Sequence, residues 1–236
     1  VKDGDELQVH GGGVVRVRPD GRGLELVSLG QRNIYDVAVS PELDLFTRDN
    51  TNDGGGWDVR LSHVIMGGYY GYPSRFKNFP DEIIQPLADY GGGSPCGSLF
   101  LDEPGFPPGY GTALYTCEWG RSAVYRHPLE RRGAGFKAGQ ETFLQIPRPT
   151  DMEVDGQSRL YVSSWAGGNF NYSGLNVGFV VCVRPKGGPA ATLPELQKLG
   201  DDQLLEQLNS PSAVRRLHAQ REILRRGTKP LFTAGL

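Results

Sequence analysis

Cysteine is scarce in this chain of 236 residues, present only as Cys96, Cys117 and Cys182. None belongs to a C-x-x-C pair, which excludes a zinc ribbon, a redox dithiol and a haem-attachment site within the chain. A Cys96–Cys117 disulfide and three free thiols are both compatible with that spacing. Histidine is almost as sparse, and no two of His10, His63, His127 and His218 stand at metal-ligand spacing. An excess of one charge is missing too: Lys and Arg total 25 against 27 Asp and Glu, a net charge of −2. That removes the electrostatic case for nucleic acid or an anionic membrane surface. No apolar run approaches the ~18 residues of a spanning helix. No G-x-S-x-G, P-loop or dinucleotide fingerprint occurs. The chain opens at Val1 with no signal-peptide pattern, as a fragment or a processed chain would.

What is abundant is glycine, 34 residues, with 17 prolines, clustered between short apolar runs rather than in a G-X-Y period. Many short strands separated by turns are expected. One unit recurs about three times, at roughly 50–60 residues per copy. A strand entered through a polar segment leads by a turn to a second strand, and an apolar-alternating strand follows. Arg32–Val39 with Leu45–Asp49, Gly97–Leu101 with Ala113–Trp119, and Arg148–Val154 with Leu160–Trp165 fill the paired slots. Trp57–His63, Ala123–Arg126 and Val177–Val183 fill the third, and Val14–Val17 is a lone copy of it. Such repeats with long insertions point to a β-propeller. The expected fold is mainly β: the C-terminal blades of a propeller over residues 1–184, with the other blades upstream.

The period changes after a linker at 185–192. Residues 193–236 are expected to begin a helical, HEAT-like repeat region. Asp201 is placed as the cap of a first helix carrying Leu204, Leu205 and Leu208. Ser210-Pro211 is placed at the start of a second, lined by Val214, Leu217 and Leu224 and closed by Gly227.

Three segments could carry chemistry. Thr47–Asp58 supplies carboxylates (Asp49, Asp53, Asp58), the amides of Asn50 and Asn52, and a glycine run. Such oxygens suit a hard cation such as Ca²⁺, although a polar loop held by Asx-turns has the same composition. Gly67–Pro73 offers Tyr69, Tyr70 and Tyr72 as flat faces for a sugar or planar cofactor, or as an aromatic turn packed between blades. Arg32, Arg121 and Arg148 fall in equivalent slots of successive repeats. Three planar forks at one ring position suit an anionic ligand; ion pairing with the repeated Asp36 and Asp151 is the alternative.

The order Arg32-Asn33, then Arg48–Asp53, then Gly67–Pro73 resembles soluble glucose and aldose sugar dehydrogenases, six-bladed propellers that use pyrroloquinoline quinone (PQQ) and Ca²⁺. From Phe46 to Pro185 the chain resembles more closely the exported "membrane-bound dehydrogenase" proteins of planctomycetes. Those join such a propeller to HEAT repeats and a C-type haem domain. The resemblance spans about residues 12–227. It implies that Arg32, Asn33 and Arg148 lie beside PQQ, that the Asn50, Asn52 and Asp53 loop holds Ca²⁺, and that Arg121 stands where the family has a cofactor-contacting lysine. It also implies a periplasmic or secreted protein that oxidises a sugar or related alcohol and passes electrons to a cytochrome c-type acceptor. The catalytic base, a histidine, would lie before Val1, so no catalytic residue is expected in this chain. Without a cofactor, the same propeller would bind a glycan or a partner protein. A lactonase-like hydrolase would need a carboxylate cage from Asp49, Asp53 and Asp58.

Overall fold

The computed structural model describes residues 4, 6–52, 57–166, 174–186 and 192–227. Sixteen strands are present among the described residues. They begin with β1 (Gly12–Arg16), β2 (Glu25–Gln31), β3 (Val37–Val39), β4 (Leu45–Asn52), β5 (Trp57–Val64), β6 (Gly68–Tyr69) and β7 (Ala88–Asp89). Next come β8 (Pro95–Asp102), β9 (Thr112–Glu118), β10 (Ala123–His127), β11 (Leu129–Arg132), β12 (Gly135–Ala138) and β13 (Glu141–Gln145). The last are β14 (Pro149–Val154), β15 (Leu160–Trp165) and β16 (Gly178–Val183), followed by helices α1 (Asp201–Glu206) and α2 (Ala213–Arg226).

The expected repeat is visible as three sheets built in chain order: β3-β4-β5-β7, β8-β9-β10-β13 and β14-β15-β16. Ahead of them β1 pairs antiparallel with β2, and β6 adds to β2 in parallel. The mainly β expectation therefore holds. Val14–Val17 is not a lone strand, because β2 partners it. Strands β2 and β13 and the hairpin β11–β12 were not legible as strands, since their sequences lack clean alternation.

Two compact units share the chain. The first is Val1–Phe100, Leu114–Met152 and Ser163–Phe179; the second is Leu101–Ala113, Glu153–Val162 and Val180–Leu236. In the first, β4 and β5 run paired from Leu45↔Val64 to Asn52↔Trp57. Strand β5 lies between β4 and β7, so Val59, Arg60, Leu61 and Ser62 are all buried and both of its faces must be satisfied. Phe46 anchors a core with Ala38, Leu61 and Leu114. Phe136 of the β11–β12 hairpin meets Phe46 edge-on at 5.3 Å and His63 at 5.0 Å, which explains why an inserted hairpin stays docked.

The second unit is organised by a buried carboxylate. Glu103 Oε1 accepts hydrogen bonds from Ser212 Oγ (2.8 Å) and from the backbone N–H of Val214 (3.1 Å). Its Oε2 accepts from Ser158 Oγ at 3.1 Å. A negative charge at the start of α2 suits the exposed N–H groups there. Two helix-start expectations are corrected. Asp201 is the first helical residue after Gly200 rather than the cap, and pairs with Arg226 at 2.8 Å. The cap of α2 is Ser212, whose side chain accepts from Arg215 N–H at 3.2 Å, not Ser210. The lining of α2 is corrected as well. Leu217 and Leu224 are exposed, while Ala219 and Ile223 pack with Leu204, so the helix turns a different face inward from the one its leucines mark. Gly227 ends α2 at φ +82°, as its glycine implied. Replacing Glu103 by leucine is expected to cost about 1–3 kcal/mol, since three donors lose their acceptor. Earlier proteolytic cleavage of the α1–α2 segment, with the midpoint of the first unit unchanged, checks this.

Candidate functional site

The entries to β3, β8 and β14 and the ends of β4 and β9 gather in the first unit. Arg32 precedes β3, and its Nη1 donates to the carbonyl of Asn50 (3.1 Å) and to Asn50 Oδ1 (3.4 Å). Its guanidinium lies over the Tyr72 ring at 5.8 Å. Asn33 follows at φ +49°, a left-handed conformation that Asn tolerates better than most residues. Asn50 Nδ2 donates to the Gly93 carbonyl at 2.9 Å, which reaches the turn before β8.

Arg121, just past β9, donates from Nε to the Gly92 carbonyl (2.6 Å) and from Nη2 to the Tyr90 carbonyl (2.8 Å). Arg148, just before β14, donates from Nη1 to the carbonyls of Trp119 (2.9 Å) and Gly120 (3.1 Å). It stacks on the Trp119 ring at 4.2 Å and adopts φ +45°, uncommon for so large a side chain. Trp119 in turn faces Trp165 at 6.3 Å. Arg32, Asn50, Arg121 and Arg148, far apart in sequence, thus belong to one hydrogen-bonded cluster, with Asn33 next to Arg32 in the chain.

The repeated aspartates do not neutralise these cations. Asp36 accepts from the N–H groups of Val37 (2.7 Å) and Ser98 (2.9 Å), and Asp151 from that of Met152 (2.8 Å). Among the described residues neither Arg121 nor Arg148 has a carboxylate partner; both direct their donors at carbonyls. That arrangement leaves positive charge to attract an anion.

Sequence reasoning missed two buried ion pairs beneath the cluster. Arg60 is buried in β5 and donates from Nε to Asp49 Oδ1 (3.0 Å) and from Nη2 to Asp49 Oδ2. Its Nη1 donates to the Tyr70 carbonyl (2.7 Å). Asp49 Oδ2 also accepts the backbone N–H of Arg32 at 3.2 Å, so the pair steadies the candidate arginine. Burial pushes the Asp49 carboxyl up, against the pull of Arg60. The second pair joins Arg48 Nη2 to Glu118 Oε2 at 3.0 Å, both side chains buried. Burial lowers the Arg48 pKa, and Glu118 opposes that shift. The only sequence signal for either pair was a charge inside an otherwise strand-like run.

The Ca²⁺ expectation fares differently. Both oxygens of Asn50 face the Arg32 guanidinium, the electrostatic opposite of a cation's neighbourhood. Asp49 is committed to Arg60, and Asp58 pairs with Lys77 at 3.1 Å. The Asn52 side chain and Asp53 lie outside the described residues. No group of three or more His, Cys, Asp or Glu side chains suited to a metal exists among the described residues. Asn50, Asp49 and Asp58 are thus engaged by cationic side chains and do not by themselves fit Ca²⁺ or the carboxylate cage of a lactonase. All three cysteines are free thiols. Tyr70 is a buried structural residue whose hydroxyl donates to the His63 carbonyl. No helix among the described residues is long and apolar enough to cross a membrane.

No family model matches the sequence, and no curated protein matches it. Among solved structures the chain is similar to the PQQ-bound form of aldose sugar dehydrogenase from Streptomyces coelicolor. The TM-score is 0.57 at 19% identity, covering 74% of this chain and 52% of that one. It is also similar to a protein from Thermus thermophilus described as an oxidoreductase (glucose dehydrogenase). There the TM-score is 0.48 at 25% identity, covering 59% of this chain and 40% of that one. The Streptomyces likeness establishes a shared fold. The chain spans about half the length of that protein.

Proposed function

We propose that this chain is part of a quinone-dependent dehydrogenase of β-propeller form, acting on a sugar or related alcohol, with PQQ as its cofactor. The observation that carries the reading is the pair Arg121 and Arg148, cations without carboxylate partners among the described residues and joined by hydrogen bonds to one loop cluster. PQQ is a planar tricarboxylate, and guanidinium forks with adjacent aromatic faces are the groups that bind such an anion. The buried Trp165 Nε1, which has no partner among the described residues, adds a donor beside Trp119. When bound, PQQ supplies the hydride acceptor. Arg32, Asn33, Arg121 and Arg148 would hold and orient its carboxylates, and the Trp119 and Tyr72 rings would keep Arg148 and Arg32 in place. The general base is assigned to no residue of this chain.

The finer reading places the protein outside the cytoplasm, in the planctomycete propeller–HEAT–cytochrome c type, with electrons leaving to a haem c domain. Its support is the order of a β-rich region followed by helices.

The test is a PQQ titration of the full-length protein, with and without Ca²⁺, followed by quinone absorbance and thermal stability. Saturable binding is expected, weakened at least tenfold, about 1.4 kcal/mol, by Arg148→Ala and by Arg32→Ala. No binding at micromolar PQQ would sink the reading and leave a cofactor-free propeller that binds a glycan or a partner protein.

A further inference from the structure

The two turns that supply carbonyls to Arg121 and Arg148 both donate to one buried carboxylate, that of Glu118. Glu118 ends β9 and is fully buried. Its Oε1 accepts the backbone N–H of Ser94, in the turn before β8, and that of Gly120 at 3.2 Å, in the turn after β9. Its Oε2 accepts from Arg48, whose Nη1 donates to Thr116 Oγ1 at 2.9 Å. Trp119 N–H reaches the Ser94 carbonyl at 2.9 Å and closes the same junction. There is no slack around the carboxylate. A Cβ on Gly93 would stand 2.8 Å from the Glu118 carboxyl, and one on Gly120 would stand 2.9 Å from Ser94 N. The carbonyls of Tyr90 and Gly92 lie on one of these turns and those of Trp119 and Gly120 on the other.

We infer that Glu118, anchored by Arg48, is a positioning residue that locks the 90–94 and 119–121 turns against each other and so sets where the Arg121 and Arg148 guanidinium groups point. The identity of the ligand rests on the quinone reading above; the locking of the turns does not.

Two conservative variants separate positioning from plain stability. In Glu118→Gln the amide oxygen still accepts from Ser94 and Gly120, while Arg48 loses its counter-charge. In Glu118→Asp the charge opposite Arg48 remains, but the carboxylate withdraws by about 1.5 Å and cannot serve Arg48 and both turns. The experiment compares PQQ affinity, melting temperature and amide exchange at Ser94 and Gly120 in the full-length protein. Glu118→Asp is expected to lose at least tenfold in affinity and most of the protection at both amides. Glu118→Gln is expected to keep affinity within about threefold and to show the larger fall in melting temperature. A purely structural role would rank affinity and melting temperature alike, so Glu118→Gln losing more of both would overturn the inference. If neither variant folds, the wild-type exchange decides: slow exchange at both amides supports the lock, and fast exchange at either overturns it. Absence of PQQ binding to the wild type would refute the quinone reading, and the amide exchange would still judge the lock.

Discussion

Arg60→Met should lower the unfolding free energy by about 3–5 kcal/mol, the usual cost of stranding one member of a buried ion pair. The reason is Asp49 rather than Arg60. Asp49 is almost wholly buried, and without Arg60 its remaining polar contact is the Arg32 N–H at 3.2 Å. The carbonyls of Tyr70 (2.7 Å) and Gly30 (3.3 Å) lose a donor as well, and Phe76 loses the cation stacked over it at 4.6 Å. Lysine should not rescue the loss, because one ammonium cannot reproduce a fork that serves two carboxylate oxygens and two carbonyls. Adding Asp49→Leu to Arg60→Met should recover much of the stability, since burial opposes the charged form of Asp49. Denaturant unfolding of the single and double variants checks this, and additive losses would contradict it. Because Asp49 also holds the Arg32 backbone, the double variant should regain stability without regaining the full PQQ affinity proposed for the wild type.

Acidification should destabilise the fold through His127 well before most carboxylates titrate. His127 is fully buried at the end of β10, and its pKa is lowered from 6.5 to about 3, first by burial and then by the nearby Arg48 charge. The contacts agree with a neutral ring. Thr116 Oγ1 lies 2.8 Å from Nε2 and also accepts from Arg48, so its own proton points to the imidazole. Nδ1 then donates to the Gly139 carbonyl at 3.0 Å. The folded ring stays neutral where the unfolded ring is protonated, so the unfolded state binds more protons between pH 6.5 and 3. Stability is therefore complete above the unfolded value and falls as pH drops through that window. The gap of about 3.5 pH units, at ~1.4 kcal/mol each, amounts to about 4–5 kcal/mol by pH 3. Urea unfolding between pH 7 and 4 should show a slope near 1.4 kcal/mol per pH unit below about pH 6. A His127→Gln variant should lack that slope; an unchanged slope would assign the acid sensitivity elsewhere.

How much of this was legible beforehand differs between fold and site. The paired strands at Leu45–Asp49, Ala113–Trp119 and Leu160–Trp165 were readable because apolar runs between glycine and proline clusters mark strands whatever they pack against. The β11–β12 hairpin was not, because Leu129 and Phe136 find their role only against Phe46 and its neighbours, a contact formed by folding. The starts of α1 and α2 were each misplaced by one or two residues. Several residues there can cap; at α2 the choice fell to Glu103, more than a hundred residues away from Ser212.

Arg32, Asn33, Asn50, Arg121 and Arg148 could be singled out by residue type and repeat position. Sequence by itself determined that this is a mainly β chain of recurring strand units followed by helices, with arginines at matching places, because periodicity and turn chemistry are local properties. Tertiary structure alone decided that, among the described residues, Arg121 and Arg148 meet carbonyls and no carboxylate, while Arg48 and Arg60 are paired with Glu118 and Asp49. Which cation meets which carboxylate depends on strands brought side by side from distant parts of the chain, and on burial that makes an unpaired charge too costly to keep.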